Sequence, residues 1–355
     1  MYETKIIDLS SAFDEGIAQG AALIKRGELC AFPTETVYGL GANALDKAAV
    51  SSIFIAKGRP GDNPLIAHVD GIEMAESIAH VTQEAELLMQ AFWPGPLTIV
   101  MQKRGNVPYE LTAGLQSVAV RMPANEGALA LITASGVPIA APSANLSGKP
   151  SPTTAADVYE DMNGKIPLLL DGGPCEIGVE STVLALAPVP TILRPGAITQ
   201  DMLRRVIGEV ALSKNILSPL REGEQVASPG MKYKHYAPKA HVTLVDGTCE
   251  QIAVLTKKLY LKAENAKKRF IILCSEQTYR FYDGQNYVIM GDRENPITMC
   301  RSLFAQLREA DRNGYDEILL EALPASKQGL TYMNRAMRAA GYHIVTPASE
   351  SPARE

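Results

Sequence analysis

Glu28-Leu29-Cys30-Ala31-Phe32-Pro33 is a short apolar run stopped by proline. Beyond it, Asp46 to Lys57 carries helical periodicity, and a second apolar run follows at Leu65-Ile66-Ala67-His68-Val69. Runs this short read as buried strands, whereas apolar positions recurring every three and four residues read as a helix laid against them. The alternation extends both ways. Upstream, Ser11 with Asp14 predicts the cap of a helix that stops at Gly27. Downstream, apolar runs around Leu97, Val118, Val137 and Ile166 predict further strands with helices between them. The pattern predicts an α/β fold with a large, twisted, mixed sheet.

From about Gly208 to Lys239 the periodicity fails, in a stretch that holds Ser218-Pro219 and Ser228-Pro229-Gly230. A second strand–helix alternation follows. The predicted organisation is a first domain over 1–208, a linker over 209–239 that joins neither sheet, a smaller Rossmann-like α/β domain over 240–345 and a tail over 346–355. The chain has 355 residues, enough for two domains, with 46% hydrophobic and 21% charged residues, which excludes wholesale disorder. Its 34 basic against 39 acidic side chains give a net charge of −5, a poor balance for a protein living on nucleic acid or anionic membrane. Five dispersed cysteines without a C-x-x-C form neither a disulfide framework nor a zinc knuckle. With no signal-peptide core and no membrane-length apolar run, a cytoplasmic location is expected.

Gly39-Leu40-Gly41-Ala42-Asn43-Ala44 matches G-x-G-x-x-A, but it does not follow its strand directly as a dinucleotide turn does. It is expected to be an irregular turn that uses glycine's freedom. No G-x-x-x-x-G-K-[ST] exists. Lys57-Gly58-Arg59-Pro60, at a helix end bending into a strand, is either an anion site or a solvated surface. Pro142-Ser143-Ala144-Asn145-Leu146-Ser147-Gly148 follows a buried strand, where open α/β sheets bind ligands, although capping serines in a polar turn would look the same. Arg121 and Arg194 close strands and could equally snorkel to the surface. Thr34, Thr36, Tyr38 and Glu180-Ser181-Thr182 add polar groups at other strand ends. Many of these elements are expected to converge on one sheet edge, which favours a shared pocket.

Phe32-Pro33-Thr34-Glu35-Thr36-Val37-Tyr38-Gly39-Leu40-Gly41, the Lys57–Pro60 segment, Ala141 to Gly148, Glu180-Ser181-Thr182 and Leu193-Arg194-Pro195-Gly196 resemble the YrdC-like domain of threonylcarbamoyl-AMP synthases. Ser228 to Pro238 is similar to the linker of the long, two-domain form. The resemblance implies a nucleotidyltransferase that joins L-threonine, bicarbonate and ATP into threonylcarbamoyl-adenylate, releasing pyrophosphate. A separate transferase then uses the adenylate to modify tRNA. It also implies a concave basic cavity with a catalytic set of Lys57, Arg59, Ser143 and Asn145. Threonine would be held by Thr36, His68, Arg121, Ala141 and Ser181. ATP would be held by Arg59, Asn63, Ser117, Ser143, Ser151, Arg194 and, from the linker, His235. Magnesium is expected on the phosphates, with no tightly bound protein metal. Lys232, Tyr233, Lys234, His235 and Tyr236 suit a flap closing over the nucleotide, the alternative being a linker strapped along the domain surface. His68 is expected either to carry a proton or to be a satisfied hydrogen-bonding histidine.

Two other readings stay open. An RNA-binding module is disfavoured by the net charge and by the lack of interleaved basic and aromatic residues. A carbamoyltransferase with a YrdC-like domain would add zinc-binding cysteine pairs, which this chain lacks.

Overall fold

The computed structural model describes residues 2–218 and 236–348. They divide into two compact units, one of 2–147 and 151–216, the other of 148–150, 217–218 and 236–348. In the first unit β1 (Lys5–Asp8) leads to α1 (Phe13–Lys25), β2 (Cys30–Phe32), β3 (Gly39–Asn43), α2 (Lys47–Lys57), β4 (Ile66–His68), α3 (Ile72–Ile78) and α4 (Gln83–Phe92). There follow β5 (Leu97–Gln102), α5 (Tyr109–Thr112), β6 (Ser117–Arg121), α6 (Glu126–Ser135), β7 (Ile139–Ala140) and α7 (Ala155–Met162). The unit ends with β8 (Leu168–Asp171), β9 (Thr182–Ala185), β10 (Thr191–Arg194), α8 (Gln200–Ile207) and β11 (Ala211–Leu212). Among the described residues its strands form one eleven-stranded sheet, ordered β1-β8-β2-β3-β7-β4-β6-β5-β9-β10-β11. The sheet is mixed: β4 runs parallel to β6 and antiparallel to β7. Ile17, Ala21 and Ile24 recur at helical spacing on α1 and bury against Leu131, Cys30 and Leu170.

Three local expectations are corrected. Ser11 does not cap α1: a tight turn from β1 brings the Ala12 amide to Asp8 O at 2.9 Å, and the Ser11 hydroxyl also goes to Asp8 O, leaving Ala12 as the uncapped N-terminus. Gly39 to Asn43 is not a turn but strand β3, paired antiparallel with β2. Its glycines supply room rather than conformational freedom, because a Cβ on Gly41 would lie 2.9 Å from both Ile139 Cγ2 and Phe32 Cε1. The segment after α8 does join the sheet, since Ala211 pairs parallel with Thr191 and the Ser213 amide reaches Ile192 O at 2.9 Å. Lys232, Tyr233, Lys234 and His235 lie outside the described residues.

The second unit carries β12 (His241–Val245), α9 (Cys249–Asn265), β13 (Phe270–Ser275), β14 (Tyr287–Gly291), α10 (Pro296–Arg312), β15 (Glu317–Glu321), α11 (Lys327–Ala339) and β16 (Ile344–Val345). Its sheet, ordered β14-β13-β15-β12-β16, is parallel throughout. Thr248 and Gln251 close a reciprocal capping box on α9. Tyr236 is buried and stacks on Phe304 with ring centroids 4.9 Å apart. At the carboxyl ends of β13 and β15 the buried Glu321 accepts from Ser275 N, the Thr278 and Tyr282 hydroxyls and Arg293. No described helix is long and apolar enough to cross a membrane. All five cysteines are free.

Candidate active site

Strands β4 and β6 run in parallel register, with His68 opposite Arg121. Strand β7 runs the other way: Ile139 faces His68, and the Ala141 amide reaches Ile66 O at 2.9 Å. His68 and Arg121 therefore lie where β4 and β6 finish. Ser117 lies where β6 begins, Asn63 just before β4, and at that end the chain leaves β7 through Ala141 into Ser143 and Asn145. The sequence predicts a single edge. The antiparallel β7 places Ser143 and Asn145 at the other end of β4 and β6 from His68 and Arg121, and the loop between β2 and β3 joins the two groups: Thr36 meets Arg121, while Gly39 bridges Ser143 and the Ala144 amide reaches Tyr38 O at 2.9 Å.

The loop between β2 and β3, which leads into Gly39 opposite Ser143, is buried rather than solvated. The Thr34 hydroxyl closes it, accepting from the Thr36 and Val37 amides at 3.2 Å and donating to Val37 O at 2.6 Å. This turn presents Glu35 and Thr36 to Arg121. Arg121 Nη1 donates to Thr36 Oγ1 at 2.9 Å and its Nε to Gly95 O at 3.2 Å. Its Nη2 stands 2.7 Å from Glu35 Oε1, but off the line a hydrogen bond needs, so the contact is an ion pair. His68 is buried, edge-on to Phe32 at 6.1 Å. Burial, helped by the Arg121 charge, pushes its pKa down to about 3, so the ring is neutral. Its Nδ1 has no protein partner, so the satisfied role is not what the structure shows for that atom.

Ser181 sits beside this group. Its hydroxyl meets Thr98 Oγ1 at 2.7 Å, and Arg194 donates to its carbonyl at 3.0 Å and its hydroxyl at 3.1 Å. The Ser151 hydroxyl donates to Glu180 Oε1 at 2.6 Å. Arg194 and Ser151, expected on ATP, are thus tied to the Glu180-Ser181 segment expected on threonine. Burial pushes the nearby Cys175 thiol up to about 12, which makes it a poor nucleophile.

At the second end, Lys57 closes α2 ahead of the left-handed Gly58 and is itself buried. Its ammonium donates to Ser143 O at 2.5 Å and Asn145 O at 2.6 Å, and the Ser143 hydroxyl donates to Asn145 Oδ1 at 2.5 Å. Arg59 Nη2 donates to Asn63 O at 3.0 Å. The Asn63 side chain is fully buried, yet neither atom of its amide has a protein partner, an arrangement costly enough to mark a polar binding position. Ser117, half-buried, opens β6 opposite Gln102. Guanidinium, amide, ammonium and hydroxyl groups at this end suit phosphate oxygens. Among the described residues no three His, Cys, Asp or Glu side chains are placed to hold a metal.

Of the groups present, Glu35 and Glu180 carry no role in the sequence-based assignment. The signal for Glu35 was its place between two threonines in a proline-led loop. Only the fold shows that this loop is buried.

Residues 22–196 match the family model described as "Telomere recombination", and residues 198–341 the one described as "Threonylcarbamoyl-AMP synthase, C-terminal domain". The chain is 46% identical to the threonylcarbamoyl-AMP synthase of Pyrococcus abyssi over 345 residues, covering 96% of this chain and 99% of that one. It is 45% identical to that of Bacillus subtilis, covering 96% and 97%. The crystal structure of P. abyssi Sua5 complexed with L-threonine superposes with a TM-score of 0.89 at 45% identity, over 97% of this chain and 99% of the other. With both parts matched by family models and relatives matched nearly end to end, the chain belongs to the threonylcarbamoyl-AMP synthase family.

Proposed function

We propose that this chain joins L-threonine, bicarbonate and ATP into threonylcarbamoyl-adenylate and pyrophosphate. The observation that carries this reading is the near end-to-end likeness to a relative solved with L-threonine. The threonine nitrogen, as the free amine, attacks the bicarbonate carbon; the C–OH bond breaks and the departing hydroxide takes the proton that nitrogen gives up, leaving a carbamate and water. A carbamate oxygen then attacks the α-phosphorus, and the bond from that phosphorus to the bridging oxygen breaks, so pyrophosphate departs with the electron pair. All the reactants carry negative charge, so positioned cations and hydrogen-bond donors are what the chemistry requires. Arg121 and Thr36 would take the threonine carboxylate, with His68, Ala141 and Ser181 around the side chain. Lys57, Arg59, Ser143 and Asn145 would form the reacting centre. Asn63, Ser117, Ser151, Arg194 and His235 would hold ATP. Magnesium would arrive with the nucleotide, as part of the substrate.

The product would pass in the cytoplasm to a separate transferase acting on tRNA. Pyrophosphate release from ATP, with threonine and bicarbonate omitted in turn, tests the reading. Release should require both. Release indifferent to threonine would overturn it.

A further inference from the structure

Resting on the threonine reading, we infer that Glu35 is the group that holds the α-amino nitrogen of the amino-acid substrate. The first unit buries four described carboxylates: Glu35, Asp157, Asp161 and Glu180. Three of them accept protein donors. Glu180 takes the Ser151 hydroxyl at 2.6 Å, Asp157 the Thr153 amide at 3.3 Å and Asp161 the Leu146 amide at 3.2 Å. Glu35 is the exception, because neither of its oxygens receives an in-line donor although the residue is 7% exposed. A carboxylate has room for several donors, and leaving it short of them in the interior is costly.

The charge beside it is the Arg121 guanidinium at 2.7 Å, whose Nη1 and Nε are committed to Thr36 and Gly95. An α-amino acid carries a carboxylate and an ammonium on one carbon. A guanidinium and a carboxylate side by side are the complement of that pair, with the substrate carboxylate on Arg121 and the ammonium on Glu35. The carboxylate is also well held. The Glu35 carbonyl accepts from the Ile177 amide at 2.9 Å, and the Thr34 turn fixes the backbone on both sides.

The test compares binding of L-threonine with that of its analogue carrying a hydroxyl in place of the amino group, by calorimetry without ATP. Wild-type protein should prefer threonine by about ten- to hundredfold, the scale of one charge-assisted contact. Glu35→Gln should erase the preference by weakening threonine alone, and Glu35→Asp should retain part of it. Wild-type protein that binds both ligands alike overturns the inference whether or not the variants fold. A Glu35→Gln protein that weakens both ligands equally also overturns it, showing that Glu35 only braces Arg121. Should wild-type protein bind neither ligand, the threonine reading itself falls and takes this inference with it.

Discussion

Lys57 Nζ donates to the carbonyl oxygen of Asn145 at 2.6 Å across 88 residues of sequence. A cation at the end of α2 thereby fastens the loop that leaves β7, and the same side chain is both a candidate for catalysis and a structural tie. Lys57→Met should remove the hydrogen bonds donated to the Ser143 and Asn145 carbonyls, costing about 2–3 kcal/mol and lowering Tm by roughly 4–12 °C. Arg59→Ala, at a half-buried position, should lower Tm far less while also losing turnover. Thermal unfolding and pyrophosphate release separate the two. Equal losses of Tm would mean that Arg59 is structural as well.

Arg121→Lys keeps the charge but cannot reproduce a planar fork that meets Thr36, Gly95 and Glu35 at once. The threonine KM should rise about tenfold or more, with the ATP KM little changed. A parallel rise in both constants would place Arg121 in the scaffold rather than at the amino acid.

His68 has a folded pKa of about 3 against an ordinary 6.5. Between these values the unfolded chain binds a proton that the folded one refuses. The stability contributed by the neutral ring is therefore complete above about pH 6.5 and is lost as pH falls towards 3, by roughly 1 kcal/mol per pH unit. Urea midpoints measured from pH 7 to pH 4 should fall less steeply for His68→Asn than for the wild type. Parallel curves would show that the ring is not held neutral by its surroundings.

Gly41→Ala should destabilise the first unit by about 1–3 kcal/mol, since the added methyl meets Ile139, Phe32 and the Cys30 carbonyl oxygen within 3.1 Å. Gly71→Ala, where a Cβ meets nothing within 4 Å, is the control. A harmless Gly41→Ala would argue against the close packing of β3 on its neighbours.

The α/β class, the mixed sheet, the second α/β unit and the candidate residues on strand ends were legible in the sequence, because strand and helix periodicities and chain punctuation are local properties. Phe32, His68 and Arg121 could be placed at strand ends without knowing which strands are neighbours. Gly39 to Asn43 could not be read as a strand, because glycine signals freedom in sequence, whereas here it answers to the Phe32 ring pressed against it from β2. Nor could sequence show that β7 enters antiparallel, or that the loop between β2 and β3 ties Arg121 at the end of β6 to the segment around Ser143. Strand order and direction are settled by long-range pairing between residues far apart in the chain. The same holds for charge. Glu35 and Lys57 are ordinary ionic residues by sequence, and only tertiary burial, which withdraws water and chooses their partners, turns one into an ion pair short of donors and the other into the clamp on a loop.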